Sequence, residues 1–106
     1  MKEITYEYYL SSDMRDRLRV KAVRERKIIR GFMVQYEAKI NDNWHPVIRY
    51  DTSHGFAHRD ILHANGAVEK QILWFPSYNI AFTYAIQDLK SLWALYRRSF
   101  EEEVRK

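Results

Sequence analysis

The chain has 106 residues, of which 46% are hydrophobic and 30% are charged. This length and balance are typical of a single globular domain over residues 1–106, and they exclude a disordered chain. The absence of cysteine excludes disulfides, cysteine-ligated zinc and thiol catalysis. The first residues lack the apolar region of a signal peptide and no stretch is apolar enough to span a bilayer, so we expect a cytoplasmic protein that does not enter membranes.

Positive charge is concentrated between Met14 and Arg30. This segment holds eight Lys or Arg residues against two acidic residues, whereas the whole chain has a formal net charge of only +4. Such a block can bind RNA phosphates, because each cation that reaches a phosphate releases counterions. The alternative is a solvated strand face whose cations protect a sheet edge. The predicted nucleic-acid-binding residues are Arg15, Arg17, Arg19, Lys21, Arg24 and Arg49.

The N-terminal third of the chain predicts two strands. Apolar and polar residues alternate over residues 4–10 and again over 18–22, with turn-forming residues at 11–13 between them. A period of two is typical of half-buried strands. The second alternation places Arg17, Arg19 and Lys21 on one face of its strand, so we expect a row of basic side chains there.

A third and a fourth strand are predicted over residues 28–40 and 44–50. The longer alternation includes Gly31, where we expect a bulge. Residues 41–43 tolerate turn geometry and predict a hairpin. Pro46 has no N–H to donate to a ladder, so the start of the fourth strand must lie at an edge or pair on one side only.

The C-terminal half predicts a last hairpin and one helix. Asn65-Gly66 lies between two apolar segments and favours a type I′ turn, which needs positive φ at both positions. From about Tyr78 the apolar residues recur at helical spacing and predict a core-facing stripe of Phe82, Ile86, Leu89, Trp93, Tyr96 and Phe100. The predicted fold class is α+β: an antiparallel meander sheet of five or six strands with a long C-terminal helix packed on one face.

Histidine is unusually dense in residues 49–63. Three of the four histidines of the chain lie within ten residues there, next to Asp, Ser and Gly. Loops held by strands are where binding and catalytic residues concentrate. A strand projects His58 and Asp60 to one side and Arg59, Ile61 and His63 to the other, so this cluster must divide between two faces.

The residue types in this segment suit phosphodiester cleavage. A histidine can take the proton of a 2′-hydroxyl, a second group can protonate the leaving oxygen, and an arginine can stabilise the phosphorane charge. An aspartate can orient a histidine, and a tyrosine can donate a proton or stack on a base. Structural alternatives are histidines bound to backbone carbonyls and an Asx turn at residues 51–53. The candidate catalytic residues are His54, His58, Arg59, Tyr50 and Asp51, with Arg49 beside them for phosphate and Asp60 as another orienting group.

Metal, nucleotide and serine chemistry are less favoured by the pattern. His54 and His58 have the spacing of metal ligands, and Asp51 or His63 could complete a site, but this spacing is diagnostic mainly on a helix. Gly55 and the strand predicted after it disfavour a helix, so no metal is expected. The glycines are too far apart for a phosphate loop, so no cofactor is expected either. Ser53 lacks the flanking glycines of a nucleophile elbow.

Residues 48–59 have the sequence Ile-Arg-Tyr-Asp-Thr-Ser-His-Gly-Phe-Ala-His-Arg. This segment resembles the central motif of the TumE-like ribonuclease toxins of prokaryotic toxin-antitoxin modules and of related uncharacterised domains. That motif is roughly Arg-Tyr-Asp, two residues, His-Gly, two residues, His-Arg. The likeness extends loosely to chain length, an aromatic N-terminal strand and a C-terminal helix. It implies a cytoplasmic RNA-directed toxin neutralised by an antitoxin protein, with Tyr50, Asp51, His54, His58 and Arg59 as the residues carried over.

We therefore expect a toxin-type, metal-independent ribonuclease that acts on RNA phosphodiesters by histidine acid/base chemistry. One alternative is a non-catalytic nucleic-acid- or protein-binding domain whose histidines are structural. Salt-dependent RNA binding without cleavage would select it. A further alternative is a purely protein-facing subunit in which one uncovered, aromatic-rich sheet face forms a homodimer. The many tyrosines of the N-terminal strand motivate it.

Overall fold

The computed structural model describes residues 1–106 as one sheet and one helix. The strands pair antiparallel in sequence order from the first to the sixth. The predicted α+β meander with a C-terminal helix is thus confirmed, with six strands. The elements are β1 (Lys2–Tyr9), β2 (Asp16–Glu25), β3 (Ile28–Ile40), β4 (Asn43–Asp51), β5 (His58–Leu62), β6 (Val68–Ile72) and α1 (Tyr78–Val104).

The bulge expected at Gly31 lies one residue before it. Val23 pairs with Gly31 and Arg24 pairs with Ile29, so Arg30 is the extra residue of β3. A Cβ at Gly31 would stand 3.3 Å from Oγ1 of Thr52. Glycine therefore allows the β4–β5 loop to approach β3 closely at this point.

The two predicted hairpin turns differ in how they form. Asn41 and Asp42 both have positive φ, and they join β3 to β4 as a two-residue turn. The Asn65-Gly66 hairpin also exists, but the expected type I′ geometry is wrong, because only Gly66 has positive φ and its N–H donates to the carbonyl of His63. Five residues connect β5 to β6, which suits a type I turn followed by a left-handed glycine.

The start of β4 pairs on one side only, as Pro46 predicts. Pro46 lies opposite Glu37 of β3, whereas β5 pairs with β4 only from Ile48 to Asp51. The outer edge strand β1 leaves Tyr6, Tyr8 and Tyr9 41–46% exposed. A homodimer through these tyrosines stays a prediction.

Helix α1 packs across β3 and β4 and closes the core. Ser77 begins the helix, since its hydroxyl accepts a hydrogen bond from the N–H of Ile80. All six residues of the predicted apolar stripe contact the core, and Leu89 and Phe100 are buried in it. Ala81 and Ala85 are fully buried as well, although the sequence pattern did not single them out. Their small side chains let the helix backbone approach the sheet. The helix is long enough to cross a bilayer but too polar along its length to do so.

Replacing Ala85 by Leu is expected to lower the free energy of unfolding by about 1–3 kcal/mol, because a larger side chain must fit an enclosed site. Ala94 lies on the exposed side of the same helix. The same replacement there should change stability by less than about 0.5 kcal/mol. Urea unfolding followed by circular dichroism measures both, and equal losses for the two variants would contradict this packing.

The sheet face opposite α1, the open face, is polar. It lies opposite the buried Leu18, Val20, Val34 and Tyr36, because side chains alternate along each strand. Several of its polar side chains are nevertheless buried, since neighbouring strands pack long charged side chains over them. The open face carries Arg17, Arg19, Lys21, Gln35, Glu37, Arg49, Asp51, His58 and Asp60.

Candidate functional site

Residues 52–57 form the loop between β4 and β5 that holds the histidine-rich segment. The Asp51 carboxylate accepts hydrogen bonds from the backbone N–H of Ser53 at 3.1 Å and from its hydroxyl at 3.0 Å. This is the Asx turn that the sequence offered as a structural alternative. The hydroxyl of Thr52 accepts from the N–H of Phe32 at 3.0 Å, which anchors the loop to β3. Gly55 has a φ of 84° and turns the chain back toward β5.

The strand register divides the predicted catalytic residues between the two faces of the sheet. Asp51 pairs with His58, and Tyr50 pairs with Arg59. Directly opposed residues share a face, so Asp51 and His58 lie on the open face while Tyr50 and Arg59 lie beneath α1. The expectation that the cluster must divide is therefore confirmed. The structure does not bring all five candidates into one site.

His58 lies at the centre of the open-face group and is 1% exposed. Its Nε2 is 2.8 Å from Oδ1 of Asp51 and 3.8 Å from Oδ2 of Asp60. Despite the short distance to Asp51, Nε2 has no hydrogen-bond partner, since the geometry of a hydrogen bond is not met. The rings of His54 and Phe56 stand 5.5 Å and 5.6 Å from the His58 ring. His54 itself is exposed.

Beneath α1, Tyr50 and Arg59 belong to a polar network around Asp88. The hydroxyls of Tyr50 and Tyr96 each donate to Oδ2 of Asp88 at 2.7 Å. Arg59 donates to the Tyr50 hydroxyl and lies 3.9 Å from Asp88. Its Nε also donates to Gln71 at 2.8 Å. These contacts fix the orientation of the helix on the sheet, so Tyr50 and Arg59 have a structural role here.

The environment shifts the ionisation of this network. Burial, and then the hydrogen bond to Asp88, raises the pKa of Tyr50 well above its usual value. The same two causes raise the pKa of Tyr96. Both hydroxyls therefore stay protonated and keep donating to Asp88 at neutral pH. Tyr50 is not poised to give up its proton as a catalytic acid.

The predicted row of basic residues exists on β2, but carboxylates neutralise part of it. Arg17 Nε lies 2.7 Å from Glu37 and Arg19 Nη1 lies 3.7 Å from the same side chain. The Arg17 guanidinium also stacks on Trp44, 3.9 Å from the ring centroid. Arg49 donates to Gln35 at 2.7 Å. The cations of this part of the open face are ordered and largely paired. They do not protect a sheet edge, because β2 lies between β1 and β3.

Unpaired cations concentrate at the end of the sheet where β2 turns into β3. No ion pair of the structure involves Lys21, Arg24, Arg26 or Lys27, nor Arg15 at the opposite end. Asn79 of α1 holds this turn, since its side chain donates to the carbonyl of Lys27 and accepts from the N–H of Ile29. These cations are available to an anionic partner.

The β4–β5 loop lies at this same end of the sheet. Met33, the sixth residue of β3, pairs with Asp51, the last residue of β4, and Thr52 of the loop contacts Phe32, one residue closer to the β2–β3 turn. A cleft of about 480 Å³ opens there between strands and loop. It places a basic side chain beside acidic and hydroxyl groups, and its lining includes Glu3, Lys21, Met33, Asp51, Thr52 and Ser53.

The metal sets considered from sequence, His54 and His58 with Asp51 or His63, are not assembled, since His54 does not join the close group of potential ligands. His63 lies on the α1 side, where its Nδ1 is 2.7 Å from Glu103, so it cannot join His54 and His58. A different set is close together: Asp51, His58 and Asp60 each offer a ligand atom, and these atoms lie within 4.8 Å of one another. Asp60 enters through the register of β5, because it lies two residues from His58 on the same strand face.

A comparison with curated proteins and a comparison with solved structures each found no match. A family model does match, and it covers residues 1–106. The family is described as a domain of unknown function. Since the match extends over the whole chain, this protein belongs to the DUF7718 family.

Proposed function

We propose that the protein is a toxin-type ribonuclease that acts on RNA at the end of the sheet shared by the β4–β5 loop and the β2–β3 turn. One observation carries this proposal: the exposed imidazole of His54 stands 5.5 Å from the His58 ring at the end that bears unpaired cations. Imidazole is the side chain best suited to proton transfer near neutral pH. The resemblance of residues 48–59 to the TumE-like motif supports the toxin role and a cognate antitoxin partner.

The burial of each side chain supports a division of roles in the proposed reaction. His54 is the proton-transfer group, because it is the exposed member of the histidine pair. His58 is 1% exposed and supports the loop rather than meeting RNA. Lys21 would contact a phosphate, since it belongs to no ion pair and lines the adjacent cleft, whereas Arg24 lies on the helix side of β2, opposite the buried Ile29.

A second candidate is an RNA-binding domain without catalysis. Most of the catalytic candidates are not free to meet RNA: Tyr50 and His58 are buried, and Arg59 is held by Gln71 and Tyr50. His54 is the one exposed residue of the five candidates. A cationic sheet end can still bind RNA by neutralising phosphates. Such binding would weaken steeply with salt.

Induced expression of the wild-type chain in a bacterial host is expected to arrest growth and degrade total RNA. His54→Ala should abolish both effects, because it removes the proton-transfer group from an exposed position without disturbing the core. His63→Ala is the matched control, since it removes a histidine that pairs with Glu103 on the other side of the sheet. It should be as toxic as the wild type.

Two outcomes would contradict the ribonuclease. One is unaffected growth with intact RNA, and the other is toxicity that survives His54→Ala. In either case the purified protein should be tested for RNA binding at low and high salt. Binding that weakens by orders of magnitude without any cleavage would select the second candidate.

A further inference from the structure

The unpartnered nitrogen of His58 points to a ligand. Nε2 is buried, has no hydrogen-bond partner, and faces the carboxylates of Asp51 and Asp60. A buried polar atom without a partner costs free energy and needs an explanation. On the other side of the ring, Nδ1 lies 3.4 Å from the carbonyl of Phe56. A carbonyl only accepts, so in the tautomer that carries its proton on Nδ1 the Nε2 lone pair faces the two carboxylates and can bind a cation.

The distances fit a cation between the three side chains. With metal–ligand bonds of about 2.1 Å, two ligand atoms at right angles are about 3.0 Å apart, and two at the tetrahedral angle are about 3.4 Å apart. Nε2 and Asp51 Oδ1 are 2.8 Å apart, and Nε2 and Asp60 Oδ2 are 3.8 Å apart. These two separations fit one ion, and all three donors lie within 4.8 Å of one another, so side-chain movement would bring Asp51 and Asp60 to the same ion as His58.

The surroundings of the three side chains resemble the outer shell of a metal site. Ser53 donates twice to Oδ1 of Asp51, the oxygen that faces His58, and Lys70 Nζ lies 3.0 Å from Oδ1 of Asp60, the oxygen that does not face His58. Ligating carboxylates are commonly oriented by hydrogen bonds of this kind, and ligating histidines by a carbonyl on the other nitrogen. Asp51 is 14% exposed, which leaves one side open for entry and for water ligands.

We propose that Asp51, His58 and Asp60 form a binding site for one divalent transition-metal ion of the Mn²⁺ or Zn²⁺ class. Two carboxylates supply the charge that a divalent cation needs, and the imidazole favours a transition metal over Mg²⁺ or Ca²⁺. The sequence alone predicted no metal. Period two places His58 and Asp60 on one side of a strand, but only the β4–β5 register brings Asp51 to them. The metal site is proposed independently of the ribonuclease activity. Ion binding can be measured without RNA, so a failure of one proposal is distinguishable from a failure of the other.

Calorimetric titration of the metal-free full chain with Mn²⁺, Zn²⁺ and Mg²⁺ tests the site. We expect one Mn²⁺ or Zn²⁺ per chain and binding of Mg²⁺ at least 10-fold weaker. Asp51→Asn and Asp60→Asn should each weaken Mn²⁺ binding by at least 10-fold while the chain stays folded by circular dichroism. Glu7→Gln is the matched control, because it removes an open-face carboxylate of β1 outside the site, and its affinity should equal that of the wild type.

A second measurement locates the ion even if a variant fails to fold. In nitrogen-15 spectra of the wild type, Zn²⁺ should shift the Nε2 resonance of His58 and leave those of His45 and His63 unchanged. The proposal is overturned by three results: no binding of Mn²⁺ or Zn²⁺ at millimolar concentration, aspartate variants that bind as tightly as the wild type, or Zn²⁺ shifts at the other histidines without one at His58.

Discussion

Asp88→Ala is expected to lower the free energy of unfolding by about 3–5 kcal/mol, among the largest effects of any single substitution in this chain. The Asp88 side chain is only 7% exposed and accepts hydrogen bonds from Tyr50 and Tyr96. It is also the carboxylate nearest to Arg59, at 3.9 Å. Its removal leaves two hydroxyls without an acceptor and a guanidinium without its counter-charge, all beneath the helix.

Urea unfolding of Asp88→Ala against Glu102→Ala measures this effect. Glu102 is an exposed carboxylate on the same helix, so its loss should cost less than about 0.5 kcal/mol. Asp88→Asn should fall between the two, because the amide oxygen can still accept one hydroxyl but carries no charge. A cost for Asp88→Ala no larger than that of Glu102→Ala would show that the network does not hold the helix to the sheet.

Stability is expected to fall steeply as the pH rises above about 10, the usual pKa of tyrosine. Burial raises the pKa of Tyr36 and of Tyr50, and hydrogen bonds to Asp16 and Asp88 raise them further. In the unfolded chain both hydroxyls lose their protons above pH 10, whereas in the folded chain they keep them. The folded state then binds more protons than the unfolded state, so its stability is lost with rising pH.

The decrease in the free energy of unfolding per pH unit can be calculated. Each such tyrosine contributes about 1.4 kcal/mol per pH unit once the unfolded chain has lost its protons. Tyr96, whose pKa burial and Asp88 also raise, is the third, so together the three contribute about 4 kcal/mol per unit above pH 10. Urea midpoints between pH 8 and pH 11, followed by circular dichroism, measure it. Tyr50→Phe removes one of the three titrating groups and should reduce the slope by about a third, although it is also less stable at pH 8. A urea midpoint that does not change over this range would contradict the burial of these hydroxyls.

Local pattern in the sequence predicts most of the fold because the forces involved are local. The alternation over residues 28–40 reproduces the bounds of β3, and the missing N–H of Pro46 predicts one-sided pairing at the start of β4. The turn at Asn65-Gly66 shows where local sequence pattern no longer predicts the structure. Its residues specify a hairpin, but the number of residues between the strands decides the turn type, and strand ends are poorly defined by periodicity.

The candidate site is less predictable, since it depends on contacts between distant residues. Period two correctly separates His58 from Arg59, yet only the β4–β5 register places Asp51 opposite His58. Asp88 pairs with Tyr50 across 38 residues, and its position one residue before Leu89 on the buried stripe is the sole signal of that contact. Ala85 likewise looks unremarkable in sequence, because alanine is compatible with either side of a helix.

The central claim is tested most directly by incubating purified wild-type and His54→Ala protein with a long single-stranded RNA. Each incubation is run once with Mn²⁺ and once with a chelator, so that the result is independent of any metal. We predict that the wild type cleaves the RNA and that His54→Ala, folded to the same extent by circular dichroism, cleaves at least about 100-fold more slowly. Intact RNA with the wild type under both conditions, or equal cleavage by His54→Ala, would contradict the proposed ribonuclease.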